Sequence, residues 1–223
     1  MRGMVWGALV LLAGCAHQSV PETAPVTVDV SAIACKDALQ PEQRVDLEMV
    51  DTLMAKGRNY AALAQLESKP MGAIDHWLRY GQLLAASGKL DEAEQVYRTL
   101  ANRCDDGRSR HGLGMVLLKR HEIMAALPHL ERARSLAPAT SQVRNDYGYA
   151  LMLVGRYEEA AFELRTALEL ANGKGPVRQN LAVAYLMTDD REGLEALQSN
   201  YGFSEDEIAY AEKLSEQFGR ARQ

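Results

Sequence analysis

The stretch from Arg144 to Ala167, RNDYGYALMLVGRYEEAAFELRTA, decides the fold of this chain. Its apolar residues recur at helical spacing, and Gly155 interrupts them part of the way along. A glycine at such a point is typical of a helix end, because the residue after a helix often takes a left-handed conformation. The stretch therefore predicts two short antiparallel helices joined by a tight turn.

The same pattern returns along the chain at a nearly constant period. Small residues recur at an interval of about 34 residues, at Gly81, Gly114, Gly148 and Ala182. The positions 12 residues further on, on the second helix of each unit, are again mostly small and are occupied by Ala93, Ala126, Ala160 and Leu194. Facing small residues let the two helices of a unit cross closely, and a larger side chain would push them apart.

The period and the residue order identify a known repeat. The unit that begins at Trp77 follows the order W-x-x-Y-G-x-x-L…A-x-x-x-Y, and in this order and its period it resembles the tetratricopeptide repeat. The resemblance implies an all-α chain folded as a right-handed α-solenoid of about five helical hairpins plus a C-terminal capping helix. One unit cannot bury its apolar face alone, so stability comes from the stacked array.

A boundary is expected wherever the repeat pattern starts or stops. The predicted segments are a lipoprotein signal peptide (1–14), a lipidated cysteine with a flexible tether (15–42), the repeat array (43–203) and a capping helix with a tail (204–223). Within the array the units are 43–73, which is degenerate, 74–106, 107–140, 141–174 and 175–203.

The last predicted helix begins with a capping box, Ser204-Glu205-Asp206-Glu207. One face of this helix is apolar and the other is charged, as a capping helix with one solvated side requires. The apolar face consists of Ile208, Ala211, Leu214 and Phe218.

The N-terminus predicts export and a lipid anchor. Arg2 precedes a short apolar run that ends in Leu12-Ala13-Gly14-Cys15, which resembles the lipobox of bacterial lipoproteins. The resemblance implies cleavage before Cys15, acylation of Cys15 and, because Ala16 rather than Asp follows, an outer-membrane location facing the periplasm. The alternative is an ordinary signal peptide with a chance cysteine.

The two remaining cysteines, Cys35 and Cys104, would lie in an oxidising compartment after export. Their even number permits one disulfide, which would close a loop of about 70 residues. Two buried or free thiols are an equal alternative, because sequence does not show whether the two Cα atoms approach within about 7 Å.

Composition and motifs exclude several classes of function. The formal charge of −5 offers no basic excess for neutralising phosphates, which disfavours a nucleic-acid partner. The five histidines are scattered, without an HExxH motif or paired cysteine ligands. We therefore expect no enzyme activity, no cofactor, no metal site and no small-molecule substrate.

In tetratricopeptide solenoids the first helix of each hairpin lines a concave groove. Carried onto this chain, most groove positions are apolar and rich in methionine, and such surfaces accept varied helical partners. The predicted groove residues are Leu78, Met115, Leu118, Tyr149, Met152, Leu153, Val183, Leu186 and Met187, with Lys119, Asn145 and Gln179 at the edges. The alternative is that some of them pack against neighbouring helices or the tether.

An anchor followed by these repeats resembles the tetratricopeptide lipoproteins of the Tad (Flp) pilus system, the TadD family. The resemblance rests on 111–114 (HGLG), 144–151 (RNDYGYAL) and 177–182 (VRQNLA). It implies a protein partner, a secretin or another pilus-assembly component. Type IV pilotins, outer-membrane-protein assembly lipoproteins and adaptors for cell-wall hydrolases remain alternatives.

Overall fold

The computed structural model describes residues 29–35 and 38–220 and contains helices but no strand within those ranges. A 3-10 helix at Val30–Ala32 is followed by α1 (Pro41–Ala55), α2 (Asn59–Glu67), α3 (Ile74–Ala86), α4 (Leu90–Cys104), α5 (Gly107–Lys119), α6 (Ile123–Leu136), α7 (Ser141–Leu153), α8 (Tyr157–Leu170), α9 (Val177–Met187), α10 (Arg191–Tyr201) and α11 (Glu205–Arg220). Consecutive helices from α1 to α10 pack as five hairpins, and each hairpin packs against the next. The predicted all-α solenoid of five hairpins and a final helix is confirmed.

Close helix crossings depend on the periodic glycines. A Cβ atom added to Gly148 would lie 2.7 Å from Leu164 Cγ, and one added to Gly114 would lie 2.6 Å from Leu130 Cγ. These distances are too short for real atoms, so in these two units the first and second helices cross where only a hydrogen fits. The sequence had placed the crossing at these positions.

Tyr97 joins two neighbouring units. Its ring lies against Gly81 in its own hairpin and against Gly112 in the next, where an added Cβ would come within 2.8 Å and 2.2 Å of it. The hydroxyl of Tyr97 donates to the backbone carbonyl of Leu78 at 3.0 Å, and burial raises the pKa of that hydroxyl. One aromatic side chain thus sets the spacing between two hairpins.

The N-terminal segment does not behave as a tether throughout. Cys35 forms a disulfide with Cys104 at the end of α4, with an S–S distance of 2.08 Å. Arg103 donates to the carbonyls of three residues in this segment (Val30, Ser31 and Ile33) at 3.1 to 3.3 Å. Because Ile33 is 5% exposed, the segment 29–35 is part of the packed body, contrary to the prediction of a flexible tether over 15–42. The predicted signal peptide, Cys15 and the tether before Asp29 lie outside the described residues.

The C-terminal helix turns back instead of continuing the stack. α10 ends at Tyr201 and is capped by Gly202, whose φ of +61° is left-handed, and α11 then packs against α9. The ring of Phe218 near the end of α11 contacts the ring of Tyr149 on α7 with centroids 6.3 Å apart. The predicted capping helix therefore lies across the first helices of the last two hairpins.

Candidate partner-binding groove

The first helices of the hairpins form one continuous face. α3 contacts α5, α5 contacts α7 and α7 contacts α9. This arrangement places equivalent positions of successive repeats side by side, as in other helical solenoids, where such a face is the usual binding surface. The face divides into an open half over α3 and α5 and a filled half over α7 and α9.

The open half contains a cleft of about 620 Å³ between α3 and α5. Its floor is apolar and its walls carry charged and amide side chains, a combination that suits a polypeptide segment. The lining residues are Asp51, Asp75, Leu78, Arg79, Gln82, Ala85, Ala86, Tyr97, Arg108, His111, Gly112, Met115, Val116, Lys119 and Gln142.

Ion pairs tie the cleft walls of three repeats together. Arg79 donates from Nε and Nη2 to the two carboxylate oxygens of Asp51 at 2.7 and 2.8 Å, which joins α3 to α1. Arg108 Nη1 donates to Asp75 Oδ1 at 2.8 Å and joins α5 to α3. The hydrogen bonds that Arg79 donates to Asp51 raise the pKa of Arg79. These contacts hold the arginine side chains in fixed positions at one end of the cleft.

A second polar chain crosses the face between α5 and α9. Asp146 lies between His111, whose Nε2 is 2.7 Å from Asp146 Oδ2, and Asn145, whose Nδ2 donates to Asp146 Oδ1 at 3.0 Å. Asn180 Nδ2 donates to Asn145 Oδ1 at 2.9 Å. Because Asn145 is 9% exposed, these hydrogen bonds meet the polar demand of a nearly buried amide. The chain of contacts fixes the register of three neighbouring repeats.

Lys119 stands apart from these pairs. Its Nζ reaches the carbonyl of Ala85 at 3.4 Å, and it forms no ion pair with a carboxylate among the described residues. The side chain is exposed at the opposite end of the cleft from the arginines. It therefore offers a positive charge to a bound segment.

The filled half is covered by α11. Tyr149 retains 38% exposure under Phe218, whereas Met152 and Val183 are each 1% exposed. The prediction that these two residues line an open groove is therefore wrong. Both belong to the hydrophobic core, at the end of the face where α7 packs against α9 and α11 packs against α9.

The structure places the remaining predicted groove and edge residues in several different settings. Leu78 and Met115 form the cleft floor, and Lys119 lines it. Asn145 belongs to the polar chain, and Gln179 donates to the backbone of α11. Three others are half-buried against the core, namely Leu118, Leu186 and Met187, and Leu153 is half-buried.

Sequence reasoning missed most of the polar cleft. Three pairs of cleft residues occupy equivalent positions in successive repeats: Asp75 and Arg108, Leu78 and His111, and Gln82 and Met115. The repeat register that pointed to Leu78 and Met115 also points to their equivalents His111 and Gln82, but the sequence prediction considered mainly apolar residues.

The described residues offer neither a cluster of metal ligands nor a helix that could cross a membrane. They contain no group of three or more His, Cys, Asp or Glu side chains arranged to hold a metal ion. In the same part of the chain, none of the helices combines the length and apolarity needed to cross a bilayer.

Known proteins share both the sequence and the architecture. A family model described as tetratricopeptide repeat matches residues 111–174. The "TPR repeat-containing protein PA4299" of Pseudomonas aeruginosa is 34% identical over 186 residues, covering 83% of this chain and 75% of that protein.

Two solved structures share the fold. One is the YrrB protein, described as "a TPR protein with an unusual peptide-binding site", with a TM-score of 0.56, 23% identity and coverage of 75% of this chain and 90% of that one. The other is MamA from Desulfovibrio magneticus RS-1, with a TM-score of 0.55, 19% identity and coverage of 83% and 99%. The family model and the 34% identity to the Pseudomonas protein over 186 residues show that this chain belongs to the tetratricopeptide repeat family of protein-interaction scaffolds.

Proposed function

We propose that this protein is a non-enzymatic adaptor that holds a segment of a protein partner in the cleft between α3 and α5. We further propose that it is anchored through Cys15 to the periplasmic side of the outer membrane and serves Tad/Flp pilus biogenesis. The partner in this proposal is the secretin or another component of that assembly.

The single observation that carries the binding role is the open, mixed-polarity cleft. Leu78 and Met115 offer apolar contact, while Gln82 and Gln142 can donate to and accept from a peptide backbone. The fixed arginines and Lys119 add charges that select among segments. YrrB, which shares the fold, provides a precedent for peptide binding on such a scaffold.

The compartment is supported by the cysteines. A disulfide such as Cys35–Cys104 persists in secreted and periplasmic proteins and is rare in the cytosol. This agrees with the export that the N-terminal sequence predicts. The pilus assignment rests on the resemblance of the anchor and repeat segments to the TadD family.

Two matched methionine substitutions test the cleft. Met115→Arg places a long cation on the cleft floor and should abolish capture of the partner in a pull-down from envelope extracts. Met124→Arg makes the same change at a residue that is 73% exposed and outside the cleft, and it should leave capture unchanged. Equal capture by both variants would contradict binding in the cleft.

A third substitution tests the anchor. Cys15→Ala should remove the protein from the outer-membrane fraction, since the lipid chains that hold it there can no longer be attached. Mass spectrometry of the wild-type protein should find an acylated Cys15 as the first residue. An unmodified N-terminus at another position would refute the anchor, and capture of a partner outside the pilus machinery would refute the pilus assignment.

A further inference from the structure

Equivalent positions of the first helices differ in what covers them. Met115, Tyr149 and Val183 occupy the same register in successive repeats. Met115 faces the open cleft, Tyr149 contacts Phe218 of α11, and Val183 is buried. The binding face thus continues beneath α11.

α11 is built like a ligand for this face. Ile208, Ala211, Leu214 and Phe218 are spaced three or four residues apart and point toward the core, and Ala211 is fully buried. The opposite side of the helix is exposed and mostly charged. An amphipathic helix laid into an apolar groove is a general mode of protein recognition.

Arg178 on α9 anchors the beginning of α11. Its Nη2 donates to both carboxylate oxygens of Glu207 at 3.1 Å. Its Nη1 holds the preceding turn through the carbonyl of Tyr201 at 2.8 Å. Gln179 Nε2 also donates to the backbone carbonyl of Glu207 at 3.3 Å. The filled half therefore recognises an acidic residue at the start of a helix as well as its apolar side.

From these contacts we propose that the α7–α9 half of the groove is a second partner-binding surface, specific for an amphipathic helix with an acidic first turn. α11 occupies this surface as a built-in competitor, and a partner helix of the same pattern replaces it. This site is separate from the α3–α5 cleft, so it stands or falls independently of the proposed function.

The small core contribution of α11 makes the replacement feasible. Within the described side chains of this helix only Ala211 is buried, whereas α7 buries seven residues. Elements with few buried apolar contacts open at a lower free energy than the core. Gly202 takes a left-handed conformation after α10, so α10 is already capped before α11 begins and does not depend on α11 to end.

Attachment to the chain explains why a free helix does not displace α11 readily. A tethered segment has an effective concentration in the millimolar range, so a free helix of equal intrinsic affinity competes poorly at micromolar concentration. Weakening the contact of α11 in the full chain should therefore expose the surface to the free helix.

The test uses a fluorescent peptide with the sequence of residues 203–220 and full-length protein. Phe218→Glu should release α11 and allow saturable peptide binding, at least about tenfold tighter than wild type. Tyr210→Glu, on the exposed side of the same helix, should bind no better than wild type. Adding Tyr149→Glu to Phe218→Glu should abolish binding, because the surface itself is then altered.

Circular dichroism and hydrogen exchange complete the test. Each variant should retain the helical content of the array, and in the wild type the amides of α11 should exchange faster than those of α7 and α9. Two results would overturn the proposal. One is equal protection of α11 and the core helices, and the other is peptide binding to Phe218→Glu that does not exceed wild type.

Discussion

The two halves of the groove have the same helical framework and opposite surfaces. Over α3 and α5 the face is open, charged and crossed by the pairs of Arg79 and Arg108. Over α7 and α9 it carries the hydrogen bond between Asn180 and Asn145 and an apolar surface on which α11 packs. The periodic glycines, by contrast, act alike in both halves, since Gly114 and Gly148 meet their partner helices at nearly the same distance.

This difference shows that the repeat specifies a framework and not a binding surface. Core positions must satisfy the same packing in every unit, so they are similar in each unit. Groove positions contact either solvent, another part of the chain or a partner, so the residue types at these positions differ between repeats. A charged groove half needs no cover in water, whereas an apolar half exposes a costly surface unless a helix lies on it.

The largest effect is expected from the disulfide, which acts on the N-terminal half alone. Replacing both Cys35 and Cys104 by serine opens a loop that spans 69 residues and should lower the free energy of unfolding by about 4 kcal/mol. Hydrogen exchange should show the loss in α1–α4 and little change in α7–α11. A uniform loss over the whole array would mean that the halves unfold as one unit.

A smaller loss is expected from filling the helix crossings, and it should be equal in the two halves. Gly114→Leu and Gly148→Leu each force a side chain into Leu130 or Leu164 and should cost about 1–3 kcal/mol in chemical denaturation. Gly219→Leu is the control, because a Cβ there meets no atom within 4 Å. Unchanged stability of the first two variants would contradict the packing register.

The ion pairs of the open half should contribute less. Asp51→Asn removes the partner of Arg79, and because both side chains are partly exposed the cost should be about 0.2–1 kcal/mol. The difference from wild type should shrink at high ionic strength, where exposed charges are screened. A cost that is independent of salt would indicate a packing role for Asp51.

The smallest effect is a pH dependence confined to the N-terminal half. The histidines of the described residues all precede α7, and burial lowers the pKa of His76 and of His129 below the ordinary value of 6.5. Their contribution to stability is complete above pH 6.5, and it is lost as the pH falls through the lowered values, since the unfolded chain takes up the protons first.

Trp77, which is 3% exposed on α3, reports this half by fluorescence. The denaturant concentration at the midpoint of unfolding, followed by this fluorescence, should decrease when the pH is lowered from about 7.5 to about 5. His76→Gln should reduce that fall. An identical pH dependence in wild type and variant would exclude His76 as its source.

Much of the fold could be predicted from sequence because the decisive signals are local and repeated. The glycines at 81, 114 and 148 specified the helix crossings, and Gly88 and Gly155, with φ of +80° and +77°, lie in the turns that join the helices. The amphipathic pattern of α11 also predicted which of its sides is buried. A short-range pattern that recurs in several units carries the same information more than once.

The binding surfaces, in contrast, were decided by contacts between distant parts of the chain. Nothing near Phe218 in the sequence specifies Tyr149 as its neighbour, and nothing near Cys35 distinguishes a disulfide with Cys104 from a free thiol. An amphipathic helix buries its apolar side against any suitable face, so its sequence alone does not select one. The sequence by itself therefore determined the helices, their pairing and their spacing. Only the tertiary structure decided which half of the groove is open, because that depends on where α11 packs.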